Sequence, residues 1–290
     1  MNTAMPTATS NTASRAEFTI GRILLDQGKL SAQDAERVLR LQKEKNLRFG
    51  DAASQLGLIT EADIQQALAR QFDYPYLTAG EGGYSHELVA AYNPFSPQVE
   101  GLRALRSQLM LRWFALGNNA LTMVGTNPGD GSSYLAANLA VVFSQLGERT
   151  LLIDANLRTP GVSGLFNLGK GMGLSDLLAD RAGLEAVVRI PAFVDLSVLP
   201  AGTLPPNPAE LLSRGNLANL LETLASSYDV ILLDTPAASV ASDFQIAAAR
   251  TRGAVIAVRK NHTRLNHVAG IKAMISAAGA EVVGAVVNEH

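Results

Sequence analysis

The 290-residue sequence contains no cysteine. Without thiols the chain can form no disulfide, no thiolate zinc site and no cysteine nucleophile, which excludes several reaction classes. Its four histidines lie at spacings that predict no metal site. The sequence also lacks any apolar run near the roughly 18 residues that a membrane-spanning helix needs. We therefore expect a protein that does not cross a membrane and that carries out no thiol chemistry.

An excess of charge of one sign is missing too, since 24 basic and 26 acidic side chains leave a net charge of −2. Proteins that wrap nucleic acid or coat anionic membranes do so through a strong positive field. We therefore expect no nucleic-acid partner and only local binding sites. A hydrophobic fraction of 47% at this length is enough for one large or two modest domains.

The amino-terminal part of the chain contains an internal repeat. Residues 1–17 are rich in Thr, Ala, Ser and Asn and predict a disordered tail without a secretory signal. Residues 18–77 then repeat with an offset of 29. The pairs with this offset are Gly21 and Gly50, Gly28 and Gly57, and Gln42 and Gln71. In each copy a glycine can end one helix and Ser31 or Thr60 can cap the next, which predicts two helices joined by a tight turn.

The rest of the chain has the pattern of an α/β fold. A glycine-rich segment at 78–84 is expected to be a linker. Beyond it, short apolar runs alternate with helical stretches. The runs are 120–124, 150–153, 196–199, 230–233, 254–258 and 281–287. This alternation predicts a mostly parallel sheet flanked by helices over residues 85–290, with ligands bound at the carboxyl ends of the strands.

The first of these runs leads into a turn that suits a phosphate. A Gly/Pro turn between a strand and a helix collects free backbone N–H groups at the positive end of the helix. In the motif G-x-x-x-x-G-K-[ST], Thr126 stands first here, Gly131 sixth, Ser132 replaces the lysine and Ser133 keeps the metal-binding hydroxyl. This degenerate match alone leaves a phosphate site and a simple turn equally open.

Two aspartates favour the phosphate site. Asp154 and Asp234 each follow an apolar strand directly, where burial is costly unless a cation or hydrogen-bond donors are present. A single aspartate at such a place is usually a turn or cap residue. Two such aspartates at strand ends, together with a glycine loop that also follows a strand, are better explained by a Mg²⁺–nucleotide site.

Four motifs in this region resemble those of a known family. They are GTNPGDGSSYLAANLA, LLIDANLR, VILLDTPA and LPAGTLPPNPAELL. Together they resemble the cytoplasmic bacterial tyrosine kinases (BY-kinases) of the EpsG type, which control polysaccharide chain length. The resemblance covers about residues 85–287. It implies a P-loop ATPase fold of the partitioning and cell-division superfamily, ATP and Mg²⁺ as cofactors, and transfer of phosphate to protein tyrosines in exopolysaccharide biosynthesis.

The resemblance also implies a partner and a location. The family acts with a transmembrane chain-length protein, which would hold this cytoplasmic chain at the inner membrane. It forms homo-oligomeric rings through an E-x-x-R-x-x-R motif, which Glu100, Arg103 and Arg106 match. The same spacing places these residues on one helical face, so pairing within an exposed helix is the alternative.

Roles for individual residues follow from the same resemblance. The residues that would cradle the phosphates are Gly129, Asp130, Gly131, Ser132, Ser133 and Tyr134. The Ser133 hydroxyl and Asp234 would bind Mg²⁺, and Asp154 would act as base or metal contact. Arg158 would face phosphate or a neighbouring subunit, and Asn288 would contact the base.

The sequence departs from the family at three places. Ser132 stands in place of the lysine that neutralises the β- and γ-phosphates. The attraction between two unit charges 4 Å apart is roughly 4 kcal/mol before screening. Asn156 replaces a second aspartate, and no tyrosine cluster lies near the last residue. Three explanations of these departures stay open. The chain is a weakened kinase in which Arg158 or Lys260 substitutes for the lysine, or a regulatory scaffold that binds nucleotide without transferring phosphate, or a chain whose tyrosine-rich tail has been removed. A partitioning-type ATPase with water as acceptor is a further alternative.

The repeat has a resemblance of its own. It is similar to the amino-terminal domain of type II secretion and pilus ATPases, whose tandem 24-residue motifs bind cyclic di-GMP. Residues 19–42 and 48–71 are each 24 long, with a five-residue spacer. The resemblance implies cyclic di-GMP contacts at Arg48, Gly21 and Gly50, although Thr19 stands where the first copy would carry its arginine. A helical protein-docking module is the alternative.

Overall fold

The computed structural model describes residues 20–71, 76–78, 80–214 and 216–289. The chain divides into two compact units, residues 1–75 and 76–290. The expected tail at 1–17 and Thr19 lie outside the described residues.

In the first unit each copy of the repeat folds into two helices. They are α1 (Ile20–Asp26), α2 (Ala32–Lys45), α3 (Phe49–Gln55) and α4 (Glu61–Gln71). Gly28 and Gly57 both have a φ of 67°, a left-handed conformation that glycine adopts without strain at a helix end. The Ser31 and Thr60 hydroxyls accept hydrogen bonds from backbone N–H groups in the following turn, at 3.1 and 3.2 Å. The two predicted N-caps are therefore confirmed.

Glycine also allows the helices of this unit to pack closely. A Cβ on Gly21 would lie 3.0 Å from the Phe49 ring, and one on Gly50 would lie 3.3 Å from Ile64. The core between the helices contains Leu24, Val38, Ala53 and Ala67, all fully buried. Close packing therefore accounts for the repeated glycine without reference to a ligand.

The second unit is built on a mostly parallel sheet. Within the described residues the sheet has seven strands, in the order β3-β4-β2-β5-β1-β6-β7. The strands are β1 (Ala120–Gly125), β2 (Thr150–Asp154), β3 (Val188–Arg189), β4 (Leu196–Leu199), β5 (Val230–Asp234), β6 (Gly253–Arg259) and β7 (Glu281–Asn288). Only β3, at the edge, pairs antiparallel. The predicted α/β fold is confirmed, whereas β3, with two exposed residues, has no apolar pattern to reveal it.

Helices cover the sheet on both faces. They are α5 (Val89–Tyr92), α6 (Pro97–Arg112), α7 (Ser132–Ser144), α8 (Val162–Leu165), α9 (Leu174–Leu178), α10 (Pro208–Ser213), α11 (Asn216–Ala225), α12 (Asp243–Thr251) and α13 (Leu265–Ala277). Strands β1, β2 and β5 are buried throughout because helices pack on both of their faces. In the described part of the chain, no helix is long and apolar enough to cross a lipid bilayer.

Helix α7, which follows the phosphate loop, lies deep in this unit, with every residue from 135 to 144 buried. Its Asn138 side chain accepts a hydrogen bond from the N–H of Ala90 at 2.9 Å and donates to the carbonyl of Glu87 at 2.9 Å. The segment expected to be a linker joins the same core, since Tyr84 packs on the rings of Phe166 and Phe193. Helix α7 and the segment that contains Tyr84 therefore belong to one hydrophobic core.

Candidate nucleotide site

The phosphate loop connects β1 to α7. Gly129 and Gly131 have φ angles of 85° and 86°, which turn the chain so that α7 begins at Ser132. A Cβ on Gly131 would lie 2.5 Å from the Asn288 amide nitrogen, whereas one on Gly129 would meet nothing within 4 Å. The Asn288 amide donates to the carbonyl of Asp130 at 2.7 Å. Asn288 therefore supports the loop, and its expected contact with a nucleotide base stays a prediction.

Asp130 holds the loop together from inside. Its carboxylate is almost fully buried and accepts hydrogen bonds from the Thr126 hydroxyl, from the N–H of Asn127 at 2.9 Å and from the Thr263 hydroxyl at 3.2 Å. Thr263 lies beyond β6, so this acid joins the loop to the neighbouring turn. The sequence contains no signal for this role, because Thr263 is 133 positions away from Asp130.

The two predicted carboxylates lie side by side. Asp154 and Asp234 end the adjacent parallel strands β2 and β5 as register partners, and both are fully buried. The Ser133 hydroxyl donates to Asp234 Oδ2 at 2.5 Å. The structure thus brings together the hydroxyl and the two acids that the sequence proposes as metal ligands.

Burial changes the acidity of both groups. It raises the pKa of Asp154 to about 6, although the N–H groups of Val162 and Asn156 donate to its oxygens at 3.1 Å and oppose the shift. Burial also raises the pKa of Asp234 well above its usual value, and the neighbouring charge of Asp154 adds to this effect. Among the described residues of the site, Asp234 Oδ1 and Asp130 Oδ1 are both buried without a hydrogen-bond partner.

These residues fit a divalent cation. Hard cations such as Mg²⁺ take oxygen ligands, and Mg²⁺ is usually bound by one or two carboxylates together with substrate phosphates and water. The described residues contain no cluster of three or more His, Cys, Asp or Glu side chains that could enclose a metal alone. Ser133 and Asp234, with Asp154 beside them, would therefore hold a cation whose remaining ligands are phosphate and water.

The other predicted site residues are engaged within the protein. Arg158 forms two hydrogen bonds to Asp243, at 2.8 and 3.0 Å. Lys260 pairs with Glu289 at 2.6 Å. Asn156 donates to the carbonyl of Thr159 at 2.8 Å and so closes its own turn.

Tyr134 and Ser132 lie in the first turn of α7. The Tyr134 hydroxyl accepts a hydrogen bond from Gln98 at 2.8 Å, and burial raises the pKa of Tyr134 to about 12. The Ser132 Oγ lies 3.3 Å from the point where a Cβ on Gly125 would be. Neither side chain adds positive charge at the loop.

Helix α6 carries the residues expected to mediate oligomerisation. Glu100 pairs with Arg103 at 3.1 Å within the helix, and Arg106 donates to the carbonyl of Val142 on α7 at 2.7 Å. The pairing within one helix, considered as the alternative, is therefore present, and the ring contact stays a prediction.

The helical unit contains a groove of about 770 Å³. Most of its lining belongs to the first copy, and two pairs of equivalent residues line it together, namely Ile20 with Phe49 and Gln42 with Gln71. Of the three predicted cyclic di-GMP residues, Gly21 lines the groove, Gly50 is buried, and Arg48 is exposed at the start of α3.

A glycine-rich loop before a buried helix and two acids at adjacent strand ends place the second unit among the P-loop nucleotide-binding proteins. The fold agrees with the solved cell division ATPase MinD of Pyrococcus furiosus, at a TM-score of 0.52 and 23% identity over 60% of this chain and 73% of that one. A family model described as cellulose biosynthesis protein BcsQ matches residues 118–274.

Relatives with higher identity define the family. The putative tyrosine-protein kinase EpsB of Ralstonia solanacearum is 35% identical over 201 residues, which are 69% of this chain and 27% of that protein. The tyrosine-protein kinase YwqD of Bacillus subtilis is 33% identical over 201 residues, 69% of this chain and 85% of that protein. The chain belongs to the bacterial tyrosine-protein kinase family.

Solved kinase domains support this assignment. The kinase domain of the Escherichia coli tyrosine kinase ETK has a TM-score of 0.67 and 30% identity over 69% of this chain and 79% of that one. The chimerical protein CapA2B2 has a TM-score of 0.66 and 31% identity over 78% of this chain and 98% of that one. The chain spans only 27–29% of the length of the two EpsB proteins and of the Klebsiella pneumoniae kinase that it matches.

Proposed function

We propose that this chain is a Mg·ATP-dependent protein-tyrosine kinase that controls exopolysaccharide chain length. The hydrogen bond between Ser133 and Asp234, beside the register partner Asp154, is the observation that carries the proposal. It joins the start of α7 to a buried pair of acids at the carboxyl edge of the sheet, where P-loop proteins bind a nucleotide and its metal.

The residues divide the work of phosphoryl transfer as follows. Backbone N–H groups of the loop and the positive end of α7 bind the phosphates of ATP. Ser133 and Asp234 hold Mg²⁺, which when bound neutralises charge on the transferred group. Asp154, with a pKa of about 6, is largely ionised at neutral pH and accepts the phenolic proton of the substrate tyrosine. The tyrosine oxygen bonds to the γ-phosphorus as the bond to ADP breaks.

Transfer of labelled γ-phosphate tests this proposal. The full chain is incubated with Mg·ATP, a candidate membrane chain-length protein and a tyrosine-containing polypeptide. Label on protein tyrosine supports the kinase, free phosphate would instead indicate a partitioning-type ATPase, and retained nucleotide without either product would indicate a scaffold. Loss of label in an Asp154→Asn variant excludes a contaminating kinase.

We propose that the partner is a transmembrane chain-length protein, which localises this chain to the cytoplasmic side of the membrane. The similarity to the chimerical protein CapA2B2 supports the proposal. Flotation of the chain with vesicles that contain the partner, and its absence from empty vesicles, is the expected result. Flotation with both would contradict a partner-dependent location.

We also propose a homo-oligomer that uses Glu100, Arg103 and Arg106. Because Glu100 is exposed, its carboxylate is accessible to a second subunit although it already pairs with Arg103. A Glu100→Gln variant should lower the mass measured by light scattering without changing the helix content. An unchanged mass would contradict this contact.

For the helical unit we propose that the groove binds cyclic di-GMP. Both copies contribute to the groove, although most of its lining belongs to the first copy, and the side-chain amides of Gln42 and Gln71 can form hydrogen bonds with a guanine edge. Calorimetry on the full chain should show binding that an Arg48→Ala variant weakens, because arginine can pair with guanine acceptors and phosphate. An absence of heat with the unmodified chain would leave only the docking module.

A further inference from the structure

Strands β2 and β5 are bracketed at both ends by an arginine–aspartate pair. Before the strands, Arg149 donates to the two oxygens of Asp229 at 2.9 and 2.6 Å. Beyond them, Arg158 donates to the two oxygens of Asp243 at 2.8 and 3.0 Å. The pairs have the same residue types and the same two side-chain bonds, and the first pair has in addition a bond from the backbone N–H of Arg149 to Asp229 at 3.0 Å. They differ mainly in surroundings and in the segments that they join.

The surroundings differ strongly. Arg149 and Asp229 are 52% and 39% exposed, and exposed pairs of this kind contribute little to stability. The Asp243 side chain is 0% exposed and that of Arg158 is 35% exposed. A buried carboxylate depends on its partner, because removal of the partner leaves an uncompensated charge. Only the second pair is therefore held to a single geometry by burial.

The buried pair joins the loops that follow the two site aspartates. Arg158 lies in the turn around Asp154, in which the N–H groups of Asn156 and Val162 donate to the Asp154 carboxylate. Asp243 begins α12, at the end of the loop that follows Asp234. That loop also contacts the start of the phosphate loop, since the N–H of Ala238 donates to the carbonyl of Gly125 at 2.9 Å.

We propose that Arg158 and Asp243 are positioning residues that fix Asp154 relative to Asp234. On this basis Arg158 is not a substitute for the missing lysine of the phosphate loop. The pair acts through the turn around Asp154 and through the loop between Asp234 and α12. It thereby keeps the distance between the two carboxylates constant when they contact the cation, the phosphate and the substrate tyrosine. This inference rests on the proposed kinase function for its rate readout, but its binding readout is independent of transfer.

The test uses the full chain with Arg158→Gln, Arg158→Lys, Asp243→Asn and the double variant Arg158→Gln/Asp243→Asn. Each single change should lower the tyrosine transfer rate by up to about a hundredfold, because small displacements of reacting groups have effects of that order. The KM for ATP should stay within about threefold. The double variant should be no slower than the single ones, because all three remove the same contact. Lysine should not rescue, since one ammonium group cannot bond both carboxylate oxygens as guanidinium does.

Binding of fluorescent ADP as a function of Mg²⁺ concentration gives the second readout. All variants should need more Mg²⁺ for half-saturation than the unmodified chain, with little change in binding when Mg²⁺ is absent. The matched control is Arg149→Gln/Asp229→Asn on the same two strands, which should alter rate and Mg²⁺ requirement by less than about twofold.

Several outcomes would overturn the inference. If Arg158→Gln weakens ADP binding without Mg²⁺ while Asp243→Asn does not, Arg158 is a phosphate-binding cation. Unchanged rates, or equal effects at the control pair, would remove any special role for the buried pair. If Asp243→Asn fails to fold, the transfer rate and Mg²⁺ requirement of Arg158→Lys, which keeps a positive charge opposite Asp243, test the inference instead. If the unmodified chain transfers no phosphate, the kinase proposal fails, and the Mg²⁺ titration alone decides on the pair.

Discussion

The two sides of the candidate site are stabilised in different ways. On the loop side, the buried acid Asp130 receives hydrogen bonds from two hydroxyls and a backbone N–H, and Asn288 supports its carbonyl. On the other side, Asp154 and Asp234 are buried next to each other, and the pKa of each is raised. The two sides therefore differ in what their acids contact rather than in how fully they are hydrogen-bonded, because Oδ1 of Asp130 and Oδ1 of Asp234 are both buried without a hydrogen-bond partner. We infer that the loop is formed before a ligand binds, whereas the carboxylate side is completed by a cation.

The largest effect is expected on the carboxylate side. Asp234→Asn should lower Mg²⁺-dependent transfer on the order of a thousandfold, since loss of a charged metal ligand removes several kcal/mol of transition-state stabilisation. Thermal stability without metal should not fall, because the substitution removes an acid whose ionised form is unfavourable when buried beside Asp154. Kinetics and melting curves measure both effects. Asp229→Asn, before the same strand, serves as the control, and a variant that keeps its rate would exclude Asp234 as a ligand.

On the loop side, Gly131→Ala should abolish nucleotide binding. The left-handed φ costs an alanine roughly 1–2 kcal/mol, and the new Cβ would also displace Asn288. Gly129→Ala has the same φ strain but open space, so it isolates the steric part. Chemical denaturation and ADP titration compare the two variants. Equal losses in both would show that the contact with Asn288 is unimportant.

Ser132→Lys tests whether a positive charge is the only feature that the loop lacks for tight ATP binding. The change should tighten ATP binding by about tenfold, a fraction of the roughly 4 kcal/mol that two unit charges share before screening. Ser132→Met adds similar length without charge and should give no gain. Titrations of ATP at two salt concentrations measure the effect. A lysine variant no tighter than the methionine variant would mean that another cation already acts at the phosphates.

A pH dependence of stability is also expected when no metal is present. An aspartate ionises near 3.8 when unfolded, but Asp154 does so at about 6 in the folded protein. The folded state therefore binds more protons between these values, and stability should fall as the pH rises from about 4 to about 6. Asp63, whose pKa is lowered to about 2, titrates below this window. Asp154→Asn should reduce this slope but not abolish it, because the raised pKa of Asp234 contributes a slope of the same sign; an unchanged slope would exclude a contribution from Asp154.

The sequence predicted those site residues whose position follows directly from the end of a strand. Asp154 and Asp234 directly follow apolar strands, and parallel pairing brings such ends together. The partner of Arg158 was not predictable in the same way. Asp243 follows Ser242 at a helix start, which predicts a cap and gives no indication of an arginine 85 positions earlier.

Local patterns were sufficient for six of the seven described strands, for the repeat and for its caps, because hydrophobic periodicity and backbone conformation depend on neighbours in the chain. Which acids receive donors and which arginine meets which acid depend instead on how separate loops pack at the edge of the sheet. Asp130 lies in the loop after β1, and Asp154 and Asp234 end β2 and β5, so all three are aspartates at the carboxyl ends of apolar strands. Their different states follow from packing, since burial and hydrogen-bond donors set the free energy of a charge.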